Sequence, residues 1–377
     1  MKLPPKITIA DHFKDLEDKR VERTKKHKLI DIVTIAICAV ICGADSWVLM
    51  EAYGKIKQEW LKEFLELPNG IPSHDTFARG FAIIEPQQFQ NSFLNWIKSI
   101  NKITSGEVIA IDGKTLRHSY DKGKDKGAIH MVSAWATNNR LVLGQCKVEE
   151  KSNEITAIPE LIKVLDIAGC LVTIDAMGCQ KEIVKAIVEK SGEYIISLKK
   201  NQSKLHNNVE EIFKTAIAKG FEGFKYSEFH TNEDKHGREE IRHYLMLSDI
   251  EEKIDPDKKW VNLQSVGMVE YIRKVNGKTK VETRYYISSL TNDAKLLGES
   301  VRSHWGIENS LHWILDVAFR EDDCRIRKDN APQNFAVLRH IAVNALGKEK
   351  SKKLGIKSKQ FCAALDNEYL NMILECI

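Results

Sequence analysis

The sequence predicts an α/β protein in which a mixed β-sheet lies between helical segments at both ends of the chain. Strand-like apolar runs and helical runs alternate from residue 106 to residue 200, in the order β-β-β-α-β-α-β. Residues 1 to about 100, and most of the chain after residue 290, carry apolar residues at helical spacing. Between them, residues 220–290 contain long runs of alternating polarity, which are typical of strands.

Composition describes an ordinary globular chain. The 377 residues are enough for two or three domains. A net charge of +4, from 57 Lys and Arg against 53 Asp and Glu, allows a nucleic-acid partner only if the cations cluster.

Cysteine usage and hydropathy indicate a cytoplasmic protein with no membrane partner. None of the eight cysteines forms a CxxC pair, so we expect reduced thiols and neither disulfides nor a zinc ribbon. The polar start of the chain is unlike a secretory signal. The longest apolar run, IVTIAICAVICGA, is too short to span a bilayer and predicts a buried helix.

The N-terminal helical region leaves two interpretations open. It is either a helix-turn-helix that binds DNA or a module whose helices serve packing alone. Pro72 and Ser73 give one of its helices a start signal. The predicted helices are HKLIDIVTIAICAVICGADSWVLMEAYGKI (one helix or two), QEWLKEFLEL, IPSHDTFARGFAII and QQFQNSFLNWIKSI.

The central segment predicts five strands and two helices. We expect the first three strands to form an antiparallel meander, and the fourth and fifth to join it as parallel strands through helical crossovers. The strands are EVIAID, IHMVSAWAT, RLVLGQCKVE, CLVTIDA and EYIISLK, and the helices are EITAIPELIKVLDIA and QKEIVKAIVEK.

After the helix KLHNNVEEIFKTAIAKG, the chain predicts a β-rich insertion at about residues 220–290. Asn276–Gly277 is suited to a type I′ hairpin turn within it. Three further helical runs follow: LLGESVRSHWGIENSLHWILDVAF, QNFAVLRHIAVNALG and SKQFCAALDNEYLNMIL.

Two carboxylates stand at the ends of predicted buried strands. Asp112 follows Val108–Ile111, and Asp175 follows the strand of Val172, Thr173 and Ile174. If the fourth strand lies parallel to the first, these side chains are neighbours and repel each other unless a cation joins them. Mg²⁺ and Mn²⁺ prefer such oxygen ligands. The alternative is that each Asp is an ordinary turn residue.

A third carboxylate, Glu308, lies on a predicted helix four residues from both His304 and His312. One interpretation makes it the acid that completes a metal site. A second is a polar helix face near water, and a third is a His–Glu–His zinc site, although its spacing differs from HExxH.

Several long motifs resemble one family. AIDGKTLRHS, IDAMGCQ, HGREEIRHY and HWGIENSLHWILDVAFREDDCRIR resemble the H-repeat-associated group of bacterial insertion-sequence transposases, within the DDE superfamily. HKLIDIVTIAICAVICGADSW and LPNGIPSHDTFARGF resemble the N-terminal associated domain of that group.

The resemblance implies an RNase H-like catalytic core with a β-rich insertion, between helical N-terminal and C-terminal regions. Its domains would be 1–102 (helical, DNA-binding), 103–345 (catalytic) and 346–377 (helical tail). It places the catalytic, metal-binding triad on Asp112, Asp175 and Glu308. Related transposases carry Tyr, Arg, Glu and Lys along the last helix, whereas this chain has Val301, His304, Glu308 and Leu315, so only the Glu is kept.

The implied function is Mg²⁺-dependent cleavage of DNA ends followed by strand transfer, with Mn²⁺ as a substitute. The partners would be the terminal repeats and target DNA, bound by a homodimer in the bacterial cytoplasm at the nucleoid. Two other classes stay open: an inactive DNA-binding relic of an insertion element, and a zinc hydrolase. The residues expected to contact DNA are Lys114, Lys199, Arg238, Arg302, His304, His312, Arg325 and Arg327.

Two weaker features have two interpretations each. Trp305 and Trp313 either stack on a flipped base or are buried beside the site. In HGREEIRHY, the alternating residues His236, Arg238 and Arg242 either contact DNA or take part in cross-strand ion pairing with Glu239 or Glu240.

Overall fold

The computed structural model of the chain describes residues 8–100, 105–120, 127–149, 152–235, 238–275 and 278–375. Residues 8–100 are helical, as the sequence predicts. QEWLKEFLEL is an exception, because only its first four residues form a helix. The α-helices are α1 (Thr8–Phe13), α2 (Leu29–Ile41), α3 (Trp47–Ile56), α4 (Gln58–Leu61), α5 (His74–Ile83) and α6 (Pro86–Ile100).

The long apolar run forms two helices rather than one. Every residue of α2 except Ile30 is buried. Gly43 follows α2 with φ +92°, a left-handed conformation that glycine adopts without strain and that ends helices. Ser46 then begins α3 by accepting a hydrogen bond from the backbone N–H of Leu49.

One nine-stranded sheet runs through the protein, in the order β3-β2-β1-β4-β5-β9-β8-β7-β6. Its first five strands form the predicted meander with two parallel additions, since β1 pairs antiparallel with β2 and parallel with β4. The strands are β1 (Val108–Leu116), β2 (Ile129–Ala136), β3 (Leu141–Lys147), β4 (Leu171–Ile174) and β5 (Glu193–Leu198). The crossover helices are α7 (Glu154–Val164) and α8 (Lys181–Glu189).

The predicted β-rich insertion continues the same sheet. It follows α9 (Ser203–Ala218) and joins the core where Ile195 of β5 pairs with Ser288. Asn276–Gly277 lies outside the described residues, but Val275 pairs with Lys278 on either side of it. The insertion comprises β6 (Lys225–Lys235), β7 (Arg238–Ser248), α10 (Glu251–Ile254), β8 (Ser265–Val275) and β9 (Lys278–Ser288).

Helices return after the insertion. The predicted helix around Glu308 is interrupted, because a π-helical segment (Ile307–His312) separates α11 (Ala294–Gly306) from α12 (Trp313–Val317). The chain then forms α13 (Ala331–Lys348), α14 (Ile356–Leu365) and α15 (Asn367–Glu375). Helix α13 packs against α2, α5 and α6 and against β3, so one apolar core joins the N-terminal helices to the sheet.

All seven cysteines within the described ranges are free thiols. In the same ranges, no helix combines the length and apolarity that crossing a membrane requires.

Candidate active site

Asp112 lies in the middle of β1, not at its end as the sequence analysis expected. Parallel pairing with β4 stops at Ile111–Ile174, whereas antiparallel pairing with β2 continues from Asp112–Ser133 to Leu116. Asp112 is therefore not a turn residue. It occupies the first position of β1 beyond the end of β4, and its side chain is 19% exposed.

Asp175 follows directly after β4, beside Asp112 in the order of the strands. Its Oδ1 accepts hydrogen bonds from the backbone N–H groups of Met177 (3.0 Å) and Gly178 (3.3 Å). These bonds fix the carboxylate at the start of the loop that leads to α8. The turn interpretation is thus correct for the local contacts of Asp175, and it leaves Oδ2 for other uses.

Glu308 is exposed in the π-helical segment, between the buried residues Ile307 and Leu311. A π-helical turn contains about one residue more than an α-helical turn. Residues four apart therefore do not line up along the helix there, and the predicted stripe of His304, Glu308 and His312 is interrupted. Such turns occur frequently at functional sites. The segment contacts β1, the strand that carries Asp112.

The electrostatics of Asp112 link the three predicted acids. Burial raises the pKa of Asp112 to about 7, although a hydrogen bond from the backbone of Gly113 acts to lower it. The negative charges of Glu154, Asp175 and Glu308 raise it further. Asp112 therefore lies within electrostatic range of both Asp175 and Glu308, and an added cation would relieve this repulsion.

The two histidines face different strands. His304 Nδ1 lies 3.0 Å from Thr173 Oγ1, and burial lowers the pKa of this histidine despite the nearby charge of Asp175. His312 Nδ1 lies 3.7 Å from Asp112 Oδ2. Burial, followed by the positive charge of Lys114, lowers the pKa of His312 to about 4, so its ring is neutral at pH 7.

Sequence reasoning did not single out Glu154 and His130, which border the same site. His130 Nε2 lies 2.6 Å from Glu154 Oε1, and its Nδ1 lies 2.8 Å from Thr115 Oγ1. The predicted topology did indicate where Glu154 would lie. Strands β1 and β3 run in the same direction, so both end at the same edge of the sheet. A helix that begins after β3, as α7 does, therefore starts near the point where β1 extends beyond the end of β4.

The donor set suits a hard divalent cation, because its oxygens belong to carboxylates that repel one another. The raised pKa of Asp112 is the observation that supports this fit. Within the described ranges, no three His, Cys, Asp or Glu side chains stand grouped closely enough to hold a metal ion as they are. Asp112, Asp175 and Glu308 lie in neighbouring elements, but their carboxylates do not converge on one point.

Lys114 has intramolecular partners. Its Nζ lies 2.7 Å from Asp316, 2.9 Å from Asp322 and 3.6 Å from Glu321. Burial disfavours the charged lysine, but these carboxylates outweigh it and raise its pKa. A phosphate would have to compete with them for the ammonium group.

The other cations predicted to contact DNA fall into two groups. Lys199, Arg238 and Arg325 have exposed side chains. Arg302 is ion-paired with Glu233. Arg327 donates a hydrogen bond to the backbone oxygen of His118 (3.0 Å) and lies over the ring of Tyr120.

Two of the alternatives left open by the sequence can be compared with the structure. Trp305 and Trp313 are 47% and 59% exposed, so the buried interpretation is wrong. Arg242 is ion-paired, but its pair with Glu240 (2.5 Å) lies within β7, and only its contact with Glu233 of β6 (3.8 Å) crosses between strands. His236 lies outside the described residues.

Comparison with known proteins agrees with this architecture. The family model described as Transposase DDE domain matches residues 103–345, and the model described as DDE_Tnp_1-associated matches residues 10–97. The chain is similar to "H repeat-associated putative transposase YhhI" of Escherichia coli K12, with 42% identity over 97% of each chain. It is also similar to "Putative transposase YncI" of E. coli O157:H7, with 44% identity over 97% of this chain and 94% of that one.

A shorter relative carries a different description. "Inactive transposase YbfQ" of E. coli K12 is 41% identical over 71 residues, which is 19% of this chain and 84% of that one.

Proposed function

Because the chain belongs to the DDE transposase family, we propose that it catalyses cleavage at the ends of an insertion element and the transfer of those ends to target DNA. The observation that supports the proposal is the strand register: β1 and β4 pair in parallel up to Ile111–Ile174, so Asp112 and Asp175 take the next positions on neighbouring strands, and the π-helical segment that carries Glu308 contacts β1. The raised pKa of Asp112, whose causes after burial include Asp175 and Glu308, agrees with this arrangement. We further propose that β1–β5 with their helices form an RNase H-like core.

Asp112, Asp175 and Glu308 would hold Mg²⁺, or Mn²⁺ in its place. When bound, such an ion polarises the phosphodiester and makes water or a 3′-hydroxyl a better nucleophile. The residues of the chain position this chemistry. The middle of β1 fixes Asp112, the end of β4 fixes Asp175, and the π-helical segment presents Glu308 at the surface, where DNA can approach.

The proposed reaction has two displacements at phosphorus. Water attacks the phosphodiester at the element end, a P–O bond forms, and the bond to the 3′-oxygen breaks. The freed 3′-hydroxyl then attacks a phosphodiester of target DNA and releases another 3′-hydroxyl. No organic cofactor is needed for either displacement.

We propose that Lys199, Arg238 and Arg325 contact DNA phosphates, since their side chains are exposed. His304 and His312, the ion-paired Lys114 and Arg302, and Arg327, which contacts His118 and Tyr120, are less direct candidates. We propose that residues 1–102 bind DNA, that 103–345 carry the chemistry and 346–377 form a tail, and that two copies act on paired ends at the bacterial nucleoid.

The test is cleavage of DNA that carries the inverted repeats flanking the gene. We expect activity with Mg²⁺ or Mn²⁺, loss with chelator, and loss in Asp112→Asn and Asp175→Asn while DNA binding is kept. Binding without cleavage under any metal would indicate an inactive DNA-binding relic. Activity restored by Zn²⁺ alone would favour a zinc hydrolase.

A further inference from the structure

Beside the three family acids lies a fourth carboxylate. We propose that Glu154 joins Asp112 in holding the divalent metal ion and that His130 positions it. This inference rests on the proposed function, because it concerns the same metal site.

Glu154 reaches the site from the opposite flank to Glu308. It is the first residue of α7, which Asn153 caps by accepting a hydrogen bond from the N–H of Ile155. Gly113, next to Asp112, has no side chain. A Cβ there would collide with Oε1 of Glu154 and with the ring of His130. The carboxylate therefore packs directly against the backbone of the Asp112 strand.

The carboxylate of Glu154 is held by one oxygen. His130 bridges Glu154 Oε1 (2.6 Å) and Thr115 Oγ1 (2.8 Å), which uses both ring nitrogens. A neutral ring suffices, because Nε2 can donate to the carboxylate while the threonine hydroxyl donates to Nδ1. Among the described residues, we find no hydrogen bond to Glu154 Oε2.

Asp175 has the same arrangement. Its Oδ1 accepts the N–H groups of Met177 and Gly178, and among the described residues Oδ2 has no hydrogen bond. Carboxylates that bind metals are themselves oriented by hydrogen bonds in this manner. Glu154 and Asp175 thus each have one oxygen held by hydrogen bonds and one without a hydrogen bond among the described residues.

An ordinary surface ion pair does not describe Glu154. Its side chain is 14% exposed, whereas Glu160 on the same helix is 61% exposed and pairs with Lys163. A nearly buried carboxylate beside a second one is unfavourable unless a cation compensates both.

The experiment measures Mn²⁺ binding to the full chain by calorimetry, without DNA. Glu154→Gln keeps the shape of the side chain and an acceptor for His130 but removes the charge. We expect it to weaken Mn²⁺ binding by about tenfold or more. We expect His130→Leu, which keeps the carboxylate and removes its anchor, to weaken binding by about tenfold. Glu160→Gln is the matched control and should bind Mn²⁺ like the parent.

The variant Asp112→Asn distinguishes failure of the proposed role of Glu154 from failure of the proposed function. If it loses Mn²⁺ binding while Glu154→Gln binds like the parent, the role of Glu154 is wrong and the proposed function stands. If both variants bind like the parent, both ideas fail. Glu154→Asp gives a second measure should Glu154→Gln not fold, as judged by circular dichroism. It keeps the charge but withdraws the oxygens by one methylene, so intermediate affinity supports the proposal and unchanged affinity overturns it.

Discussion

The Nζ of Lys114 lies 2.7 Å from the carboxylate of Asp316, and this contact joins the strand of Asp112 to the helix that follows Glu308. Asp322 and Glu321 surround the same ammonium group. Two parts of the candidate site that are far apart in sequence are therefore held together by a nearly buried charge, since the Lys114 side chain is 13% exposed.

This contact predicts that Lys114→Met impairs cleavage through misplacement of Glu308. The variant leaves three carboxylates without their shared cation, so we expect lower thermal stability and slower cleavage. The slope of log affinity for DNA against log salt should not change. A slope flatter by about one unit would instead show that Lys114 contacts a phosphate.

Glu308→Gln should bind end DNA at least as well as the parent and cleave it about a hundredfold more slowly or worse. The substitution keeps the shape of the side chain but removes the negative charge that a metal ion needs. Single-turnover cleavage and a gel-shift assay measure the two effects separately.

His304→Ala and His312→Ala should reduce cleavage less than Glu308→Gln, because these rings contact Thr173 and approach Asp112 and are not proposed as metal ligands. If both histidine variants abolish activity while Asp112→Asn retains it, a His–Glu–His zinc site replaces the carboxylate site.

Replacing Arg325 and Arg327 together by Ala should flatten the salt slope of DNA binding by about one to two units. The single variants should differ. Arg325 is exposed, so its loss should account for most of the change. Arg327 is engaged with His118 and Tyr120, so its loss should also lower stability. An unchanged slope in the double variant would assign both arginines to intramolecular contacts.

The contribution of Asp112 to the stability of the metal-free protein should fall as pH rises from about 4 to about 7. Burial, with the neighbouring acids, raises the pKa of Asp112 to about 7. In this window the folded-state Asp112 holds a proton that the unfolded-state Asp112 has released, so its contribution to the free energy of unfolding falls with rising pH, whereas the lowered pKa of His312 acts in the opposite direction. The effect is about 2–4 kcal/mol before solvent screening at this partly exposed group. Urea denaturation in chelator, compared between the parent and Asp112→Asn, measures it. Equal pH dependence in the two proteins would contradict the raised pKa.

Arg339→Leu should destabilise the protein by about 3–5 kcal/mol, because it leaves the buried Glu321 without one of its cations. The two side chains are each 2% exposed and lie 3.5 Å apart. Arg320→Leu is the control: its pair with Asp45 at 3.4 Å is exposed and should contribute less than about 1 kcal/mol. Similar losses of stability in both variants would mean that the buried Arg339–Glu321 pair contributes no more to stability than an exposed pair.

The sequence predicted the sheet well because its signals are local and strong. Alternating or continuous apolar runs located the five core strands and the β-rich insertion, and the strand order that a β-β-β-α-β fold favours placed β4 beside β1. The position of Asp112 within its strand was missed. Gly113 and Lys114 resemble a turn, and only pairing with β2, invisible in the local pattern, shows that the strand continues.

The candidate site was predictable only in part. Asp175 and Glu308 lie within recognisable motifs. Glu154 lies at an ordinary helix start, and only its contact with Gly113 in the folded chain shows that it borders the site. The π-helical segment was also missed, because apolar spacing over one turn does not distinguish i→i+4 from i→i+5 hydrogen bonding. Lys114 appeared to be free for DNA because its partners lie some two hundred residues away.

The packing of α2 against α13 limits how early the chain can fold during its synthesis on the ribosome. Helix α2, buried almost throughout, emerges early, yet the helix that covers it is synthesised near the end. Until residues 331–348 leave the exit tunnel, the nascent chain carries an uncovered apolar segment of the kind that aggregates or recruits chaperones. A message truncated before α13 would therefore yield an insoluble product rather than a smaller, folded protein.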